Sequence, residues 1–154
     1  MKHLQEAQQL FMALSDHFID PDLILIQGSC RTEFDGFSFT FDYDEVLSSL
    51  FIKSCLCPLS ALANPDEALT TILEATYDWG TLMGGAFGLD EEDGFLYFRT
   101  RLDFGRTDQP LEKRLLVDVI PRIIGAMDWA VGALGLNNGE KNAKLETKNN
   151  SNNI

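Results

Sequence analysis

The sequence predicts an α+β domain in the order αβββαββα, with one mostly antiparallel twisted sheet flanked by helices. Three observations support this prediction. Asp35-Gly36 and Asp93-Gly94 each separate two runs of alternating apolar residues, a pattern typical of β-hairpins. Apolar residues recur every three or four positions near both ends of the domain, as they do in amphipathic helices. Between the hairpins, an Asn-Pro pair has the composition of a helix start.

The first helix is predicted over residues 4 to 18, where the apolar residues recur with helical spacing. Its apolar stripe comprises Leu4, Ala7, Leu10, Phe11, Leu14 and Phe18. Asp20-Pro21 is expected to end or redirect the helix, since proline disfavours the α conformation in the residue before it. The short apolar run from 23 to 26 fits either a strand or a buried connection.

Three strands are predicted next, over residues 29 to 34, after the Asp35-Gly36 turn, and over residues 50 to 57. In the second strand, three phenylalanines alternate with polar residues and share one face, which predicts that they pack together: Phe37, Phe39 and Phe41. The chain has three cysteines, which we expect to be reduced and buried. Cys55 and Cys57 lie two apart on the third strand, so a period of two predicts that their side chains point the same way.

The second helix begins at Asn64-Pro65-Asp66-Glu67, which supplies a capping side chain, a proline in the first turn and acids that complement the helix dipole. It is predicted to end near Gly80. A last helix is predicted to begin between Thr107 and Pro110 and to run towards Gly135. Pro121 lies inside this helix and is expected to kink or split it, because one backbone donor is lost.

The last hairpin is predicted to reverse at Asp93-Gly94 through a two-residue turn. In its second strand, one face is predicted to carry Leu96, Phe98, Thr100 and Leu102, and the other Tyr97, Arg99, Arg101 and Asp103. Arg99 and Arg101 therefore point outward in an acidic protein, and their face is a candidate contact surface for a partner. The alternative interpretation is pairing with acidic neighbours on adjacent strands.

The charge of the chain limits the classes of partner. Its 154 residues include 12 Lys and Arg against 24 Asp and Glu, for a formal net charge of −12. We expect no nucleic-acid ligand and no anionic membrane surface, because both require clustered basic residues. The N-terminus lacks a signal-peptide pattern and no apolar stretch is long enough to span a bilayer, so a cytoplasmic location is expected. The classes that remain are a protein partner and a small molecule.

Motifs for catalysis and for metal or cofactor binding are absent from the sequence. The two histidines, His3 and His17, lie about 21 Å apart along a continuous helix, so they cannot share a metal within it. The run from Asp90 to Asp93 resembles a cation site only in charge, since it lacks the alternating ligands and fixed glycine of a calcium loop. We therefore expect no enzymatic activity and no cofactor.

The composition changes beyond Leu136 to Asn, Lys, Glu and Ser, with almost no apolar residues. Such a segment cannot offset the conformational entropy that it would lose on ordering. We therefore predict one domain over residues 1–136 and a flexible polar tail over residues 137–154.

The order of elements and three local motifs resemble the class I type III secretion chaperones, the Tir-chaperone family. The motifs are Ile72-Leu73-Glu74-Ala75 to Trp79, Gly84-Gly85-Ala86-Phe87-Gly88-Leu89, and Leu96-Tyr97-Phe98-Arg99-Thr100-Arg101-Leu102. The resemblance covers roughly residues 4 to 136. The bacterial YbjN-like proteins have a related fold and much of the same pattern, so a regulatory or ligand-binding domain of that kind is the alternative.

The resemblance implies a cytoplasmic bacterial homodimer that binds the N-terminal region of a secreted effector, keeps it partly unfolded and soluble, and delivers it to the secretion ATPase. It implies an effector-binding surface that includes Leu10, Phe11, Leu14, Phe37, Phe39, Phe41, Arg99 and Arg101. Phe11 is expected to be exposed at the edge of the helix stripe. The implied dimer interface includes Leu69, Leu73, Tyr77 and Trp79. The alternative interpretation of every apolar stripe is that it forms core.

Overall fold

The computed structural model describes residues 2–14, 29–78, 84–105 and 109–136. Its elements are α1 (Lys2–Leu14), β1 (Ser29–Phe34), β2 (Phe37–Asp44), β3 (Ser49–Pro58), α2 (Pro65–Tyr77), β4 (Ala86–Leu89), β5 (Phe95–Asp103), α3 (Leu111–Lys113), a π-helical segment (Arg114–Val119) and α4 (Ile120–Ala133), with one 3₁₀ turn (Leu59–Ala61) after β3. The α+β class is confirmed, with α3, the π-helical segment and α4 in place of the predicted last helix. The predictions for Asp20-Pro21, residues 23 to 26, Trp79, Gly80 and the tail lie outside the described residues.

The five strands form one sheet in the order β1-β2-β3-β5-β4, and every neighbouring pair is antiparallel. We call the face that carries Phe39 and Phe41 the inner face. The helix α1 packs on it through Phe11, whose ring centre lies 5.0 Å from that of Phe41. The helix α4 contacts β3 and β5, and the ring centre of its Trp129 lies 6.2 Å from that of Phe87 in β4. The hydrophobic core therefore lies between the inner face and these two helices.

The alternation predicted for the strands is confirmed. Phe37, Phe39 and Phe41 are all buried, as are Leu96, Phe98 and Leu102 of β5. The residues between them point to the opposite, outer face, because successive side chains in a strand alternate. The prediction for the two cysteines of β3 is wrong. A register shift between them pairs Cys55 with Tyr97 but Cys57 with Leu96, so Cys57 is buried on the inner face and Cys55 lies with Tyr97 on the outer face.

The two hairpins turn differently. The first turns at Asp35-Gly36, where both residues have positive φ, 52° and 77°, as the two-residue turn requires. The prediction of a two-residue turn at Asp93-Gly94 is wrong, because the loop spans residues 90 to 94 and only Gly94 has a positive φ. Acidic side chains of the run stabilise this wider loop: Asp90 accepts from the Glu92 backbone N–H at 3.0 Å, and Asp93 accepts from that of Phe95 at 2.9 Å.

The helix α2 begins as predicted. The Asn64 side chain accepts a hydrogen bond from the Glu67 backbone N–H at 3.3 Å and donates one to the Glu67 carboxylate at 3.1 Å. The effect of Pro121 appears as a change of helical type, since the π-helical segment ends at Val119 and α4 begins one residue before the proline. A π-helix bonds each N–H to the carbonyl five residues back, and an α-helix to the carbonyl four residues back. The hydrogen-bond pattern therefore changes next to Pro121, which has no N–H to donate.

Gly85 lies immediately before β4, which begins at Ala86. A Cβ atom at this position would collide with the ring of Phe98, which is 1% exposed and belongs to the inner face. The backbone thus passes directly over a core side chain. Gly88, three residues later, has no neighbouring atom within 4 Å of the same hypothetical Cβ.

Candidate partner-binding surfaces

Six of the residues assigned to effector binding lie in the hydrophobic core: Leu10, Phe11, Leu14, Phe37, Phe39 and Phe41. The expectation that Phe11 is exposed is wrong, since it is 1% exposed and makes an edge-to-face contact with Phe41. The physical reason is that α1 packs against β2 through Phe11, and Ala7, Leu10 and Leu14 of the same stripe are buried with it. These six side chains are therefore not accessible to a partner in the folded chain.

The helix α2 carries the clearest exposed apolar pair. Leu73 is 67% exposed and Tyr77 is 91% exposed, and one helical turn separates them. Leu69, one turn earlier, is half-buried and packs against the core. Three of the four residues assigned to the dimer interface therefore lie on one stripe that continues from the core into solvent. Trp79 lies outside the described residues.

Arg99 and Arg101 are both exposed on the outer face of β5. The guanidinium of Arg99 lies over the ring of Phe51 at 4.4 Å, and the ammonium of the adjacent Lys53 lies over Tyr97 at 4.9 Å. Arg101 pairs with Asp103 of the same strand at 2.8 Å. Pairing across strands with acidic neighbours, the alternative interpretation, is therefore not what the described residues show for either arginine.

An open cleft of about 540 Å³ adjoins these two arginines. Arg99, Arg101 and Phe51 line it on the sheet side, and Thr76 of α2 and Gly85 line it elsewhere. The hydroxyl of Thr76 is buried and makes no hydrogen bond within the described residues. The cleft therefore joins the outer face to the end of α2 that carries Tyr77.

Two titratable side chains of the sheet, Tyr97 and Cys30, have raised pKa values. Burial raises the pKa of Tyr97, and so does the hydrogen bond that its hydroxyl donates to Asp93 at 2.7 Å. Burial, with a smaller effect of Asp42, raises the pKa of the Cys30 thiol to about 12. Both groups therefore stay protonated at neutral pH. Among the described residues, no group of three His, Cys, Asp or Glu side chains could hold a metal ion.

A model of the Tir chaperone protein (CesT) family matches residues 22–120. The chain belongs to this family. This Tir chaperone family member also has the fold of several solved structures. A chain of the ExsC–ExsE complex superposes with a TM-score of 0.66 at 14% identity, covering 86% of this chain and 94% of that one. A chain of the HopA1–SchA chaperone–effector complex superposes with a TM-score of 0.60 at 18% identity, covering 86% of this chain and 95% of that one.

Two further structures share the fold of this Tir chaperone family member. A chain of the heterodimeric ExoU–SpcU complex from the type III secretion system of Pseudomonas aeruginosa gives a TM-score of 0.51 at 14% identity, covering 71% of this chain and 81% of that one. YbjN from E. coli superposes with a TM-score of 0.54 at 13% identity, covering 84% of this chain and 91% of that one. No curated protein sequence matches this chain. The described helices include none that is long and apolar enough to cross a membrane.

The resemblance drawn from the motifs is confirmed by the family match. The sequence did not single out Arg31 and Lys53, which the antiparallel register places in line with Arg99 across the outer face, with Lys53 directly beside Arg99. Strand alternation could have placed each of them on the outer face, because both adjoin buried residues of their own strands. Their alignment with Arg99 depends on strand order, which alternation alone does not supply.

Proposed function

We propose that this chain is a type III secretion chaperone that binds the N-terminal region of a secreted effector in the bacterial cytoplasm. In this role it keeps the effector soluble and secretion-competent and presents it to the secretion apparatus, including its ATPase. It acts through binding, without catalysis or a cofactor. The observation that carries this proposal is the Tir chaperone family match over residues 22–120.

The working form that we propose is a homodimer joined through α2. Leu73 and Tyr77 would leave a large apolar area in water in an isolated protomer, and a second copy with the same stripe would cover it. The net charge of −12 keeps a protein with exposed apolar surface soluble. Arg99 and Arg101 belong to the proposed effector contact, because both are exposed beside the open cleft.

The test is reconstitution with the secreted protein whose gene lies next to the gene for this chain. We expect the full chain to co-purify with the N-terminal segment of that protein and to keep it soluble, and we expect the remainder of the effector alone not to bind. The measurement is mass by light scattering of the purified complex, with two copies of this chain for each effector segment. Failure to retain the segment, with the chain folded and dimeric, would contradict the proposal.

A second candidate function is a regulatory or ligand-binding domain like YbjN, which the superposition on YbjN favours at the level of the fold. It requires neither α2 pairing nor a secreted partner. A chain that stays monomeric at micromolar concentration and ignores the effector segment would favour this second candidate.

A further inference from the structure

The cations of the sheet are all on one face. The strands contain four Lys and Arg residues, Arg31, Lys53, Arg99 and Arg101, and the inter-strand register places every one on the outer face. This is a third of the 12 basic residues in a chain of net charge −12. The same register places four acids, Glu33, Asp42, Asp44 and Asp103, on this face. The outer face of the strands therefore has no net charge, in contrast to the strongly acidic chain as a whole.

Three of these cations form a row that crosses the strands. Arg31 of β1 pairs with Thr40 of β2, Thr40 pairs with Lys53 of β3, and Lys53 pairs with Arg99 of β5. We call Arg31, Lys53 and Arg99 the cationic row. Its ends are three strand spacings apart, or about 14 Å. An extended peptide spans nearly the same distance between residues i and i+4, about 13 Å.

The three members of the cationic row have no acidic partner in the part of the chain that the structure describes. Arg101, in contrast, is already paired with Asp103. Two acids lie near Arg31 on the outer face: Glu33 of the same strand, and Asp42 of β2, which accepts a hydrogen bond from the Ser29 hydroxyl at 2.6 Å. The ring of Tyr97 lies beneath Lys53 and the ring of Phe51 lies beneath Arg99, on opposite sides of this pair of cations.

We propose that the cationic row binds an acidic, extended segment of the secreted partner, with carboxylates at positions i and i+4 over Arg99 and Arg31. This inference rests on the proposed function and names the chemistry of the segment that the outer face accepts. The −12 protein would otherwise repel an acidic segment, so the row provides both attraction and register. The rings of Phe51 and Tyr97, one on each side of the Lys53–Arg99 pair, provide apolar contact for the stems of the peptide's side chains.

A second copy of this chain fits the outer face less well. In a two-fold symmetric interface the same patch lies on both partners, so an axis through the cationic row would bring its cations against those of the second copy. Like-charge juxtaposition across an interface is unfavourable. The apolar stripe of α2, which has no such cations, suits self-association better.

The probe is a fluorescein-labelled peptide of about twelve residues, with glutamates at three alternate positions in a Ser/Thr/Val background. The matched peptide has glutamine at the same positions. Anisotropy titrations use the full-length chain at about 50 mM and about 150 mM salt, because screening distinguishes charge pairing from apolar contact. We expect the glutamate peptide to bind at least about tenfold more tightly than the glutamine peptide at low salt, and to lose most of that advantage at the higher salt.

The variant is Lys53→Gln/Arg99→Gln, and the matched control is Lys113→Gln/Arg122→Gln, which removes the same charge from α3 and α4. We expect the first variant to lose the preference for glutamate and the control to keep it. Equal loss in both variants would show that net charge alone acts, and would overturn the proposal. Loss of the dimer in the Lys53→Gln/Arg99→Gln variant, measured by light scattering, would assign the face to a second copy and would also overturn it.

The same two variants separate this inference from the proposed function. If the wild-type chain retains the effector segment and Lys53→Gln/Arg99→Gln retains it equally well, the cationic row is not the contact although the chaperone function stands. If the glutamate peptide binds as expected but the wild-type chain ignores the effector segment, the chaperone function fails and the acidic specificity of the face stands.

Discussion

Phe11→Asp is expected to unfold the protein. The ring of Phe11 is 1% exposed and contacts Phe41, so the substitution removes a core aromatic side chain and places a carboxylate in its position. Removing a buried phenylalanine ring costs about 3–5 kcal/mol, and burying an unpaired charge adds to that cost. Because the total stability of a domain is about 5–15 kcal/mol, most of the population should be unfolded. Urea titration followed by circular dichroism measures the loss.

The matched control for this prediction is the neighbouring residue. Met12 is 73% exposed on the same helix, so Met12→Asp should change the free energy of unfolding by less than about 1 kcal/mol. A Phe11→Asp variant that melts like the wild type would show that α1 does not cover the inner face in solution. The sequence predicted an exposed Phe11 whose replacement leaves the chain folded, whereas the burial of its ring makes loss of folding the expected result.

Leu73→Glu/Tyr77→Glu is expected to dissociate the proposed dimer and to leave each protomer folded. The two side chains are 67% and 91% exposed in the single chain, so their replacement removes little from the core. In the dimer, the change removes two apolar anchors from each protomer and brings four new negative charges together. Because one anchor commonly contributes about 2 kcal/mol, association should weaken by at least about 100-fold. Sedimentation or light scattering at micromolar concentration measures this change.

Met12→Glu/Val117→Glu is the control for surface charge. Met12 and Val117 are 73% and 68% exposed on α1 and the π-helical segment, so the double variant adds the same charge away from α2. It should remain dimeric. A wild-type chain that is monomeric at micromolar concentration, or a control that dissociates as much as the α2 variant, would contradict the assignment of the interface to α2.

Local rules predicted the elements well because each rule concerns residues close in sequence. The alternation of Phe37, Phe39 and Phe41 fixes a face of β2 wherever that strand lies in the sheet, and the Asn64 cap requires only the next three residues. The period of two failed at Cys55 and Cys57, since a register shift between them is set by the pairing with β5.

Predictions about the site were less complete because they depend on distant contacts. The stripe on α1 shows which residues can be buried, but only the position of the helix on β2 shows that Phe11 is covered. The cationic row draws its members from β1, β3 and β5, and its existence follows from the order of the strands. The turn of the last hairpin is a further example. The Asp93-Gly94 pair predicted a two-residue turn, but the observed loop spans residues 90 to 94 and contains hydrogen bonds from the backbone to the side chains of Asp90 and Asp93.

Gly85 and Gly88 would differ sharply in an exhaustive substitution screen, although both belong to the same glycine-rich motif. Any side chain at Gly85 must displace the ring of Phe98 from the core, so even alanine should be selected against. Gly88 has open space around the same hypothetical Cβ and should accept small residues. In natural variants of this chain, position 88 is therefore expected to vary while position 85 stays glycine, and the constraint at position 85 reflects packing against Phe98, whatever partner the chain binds.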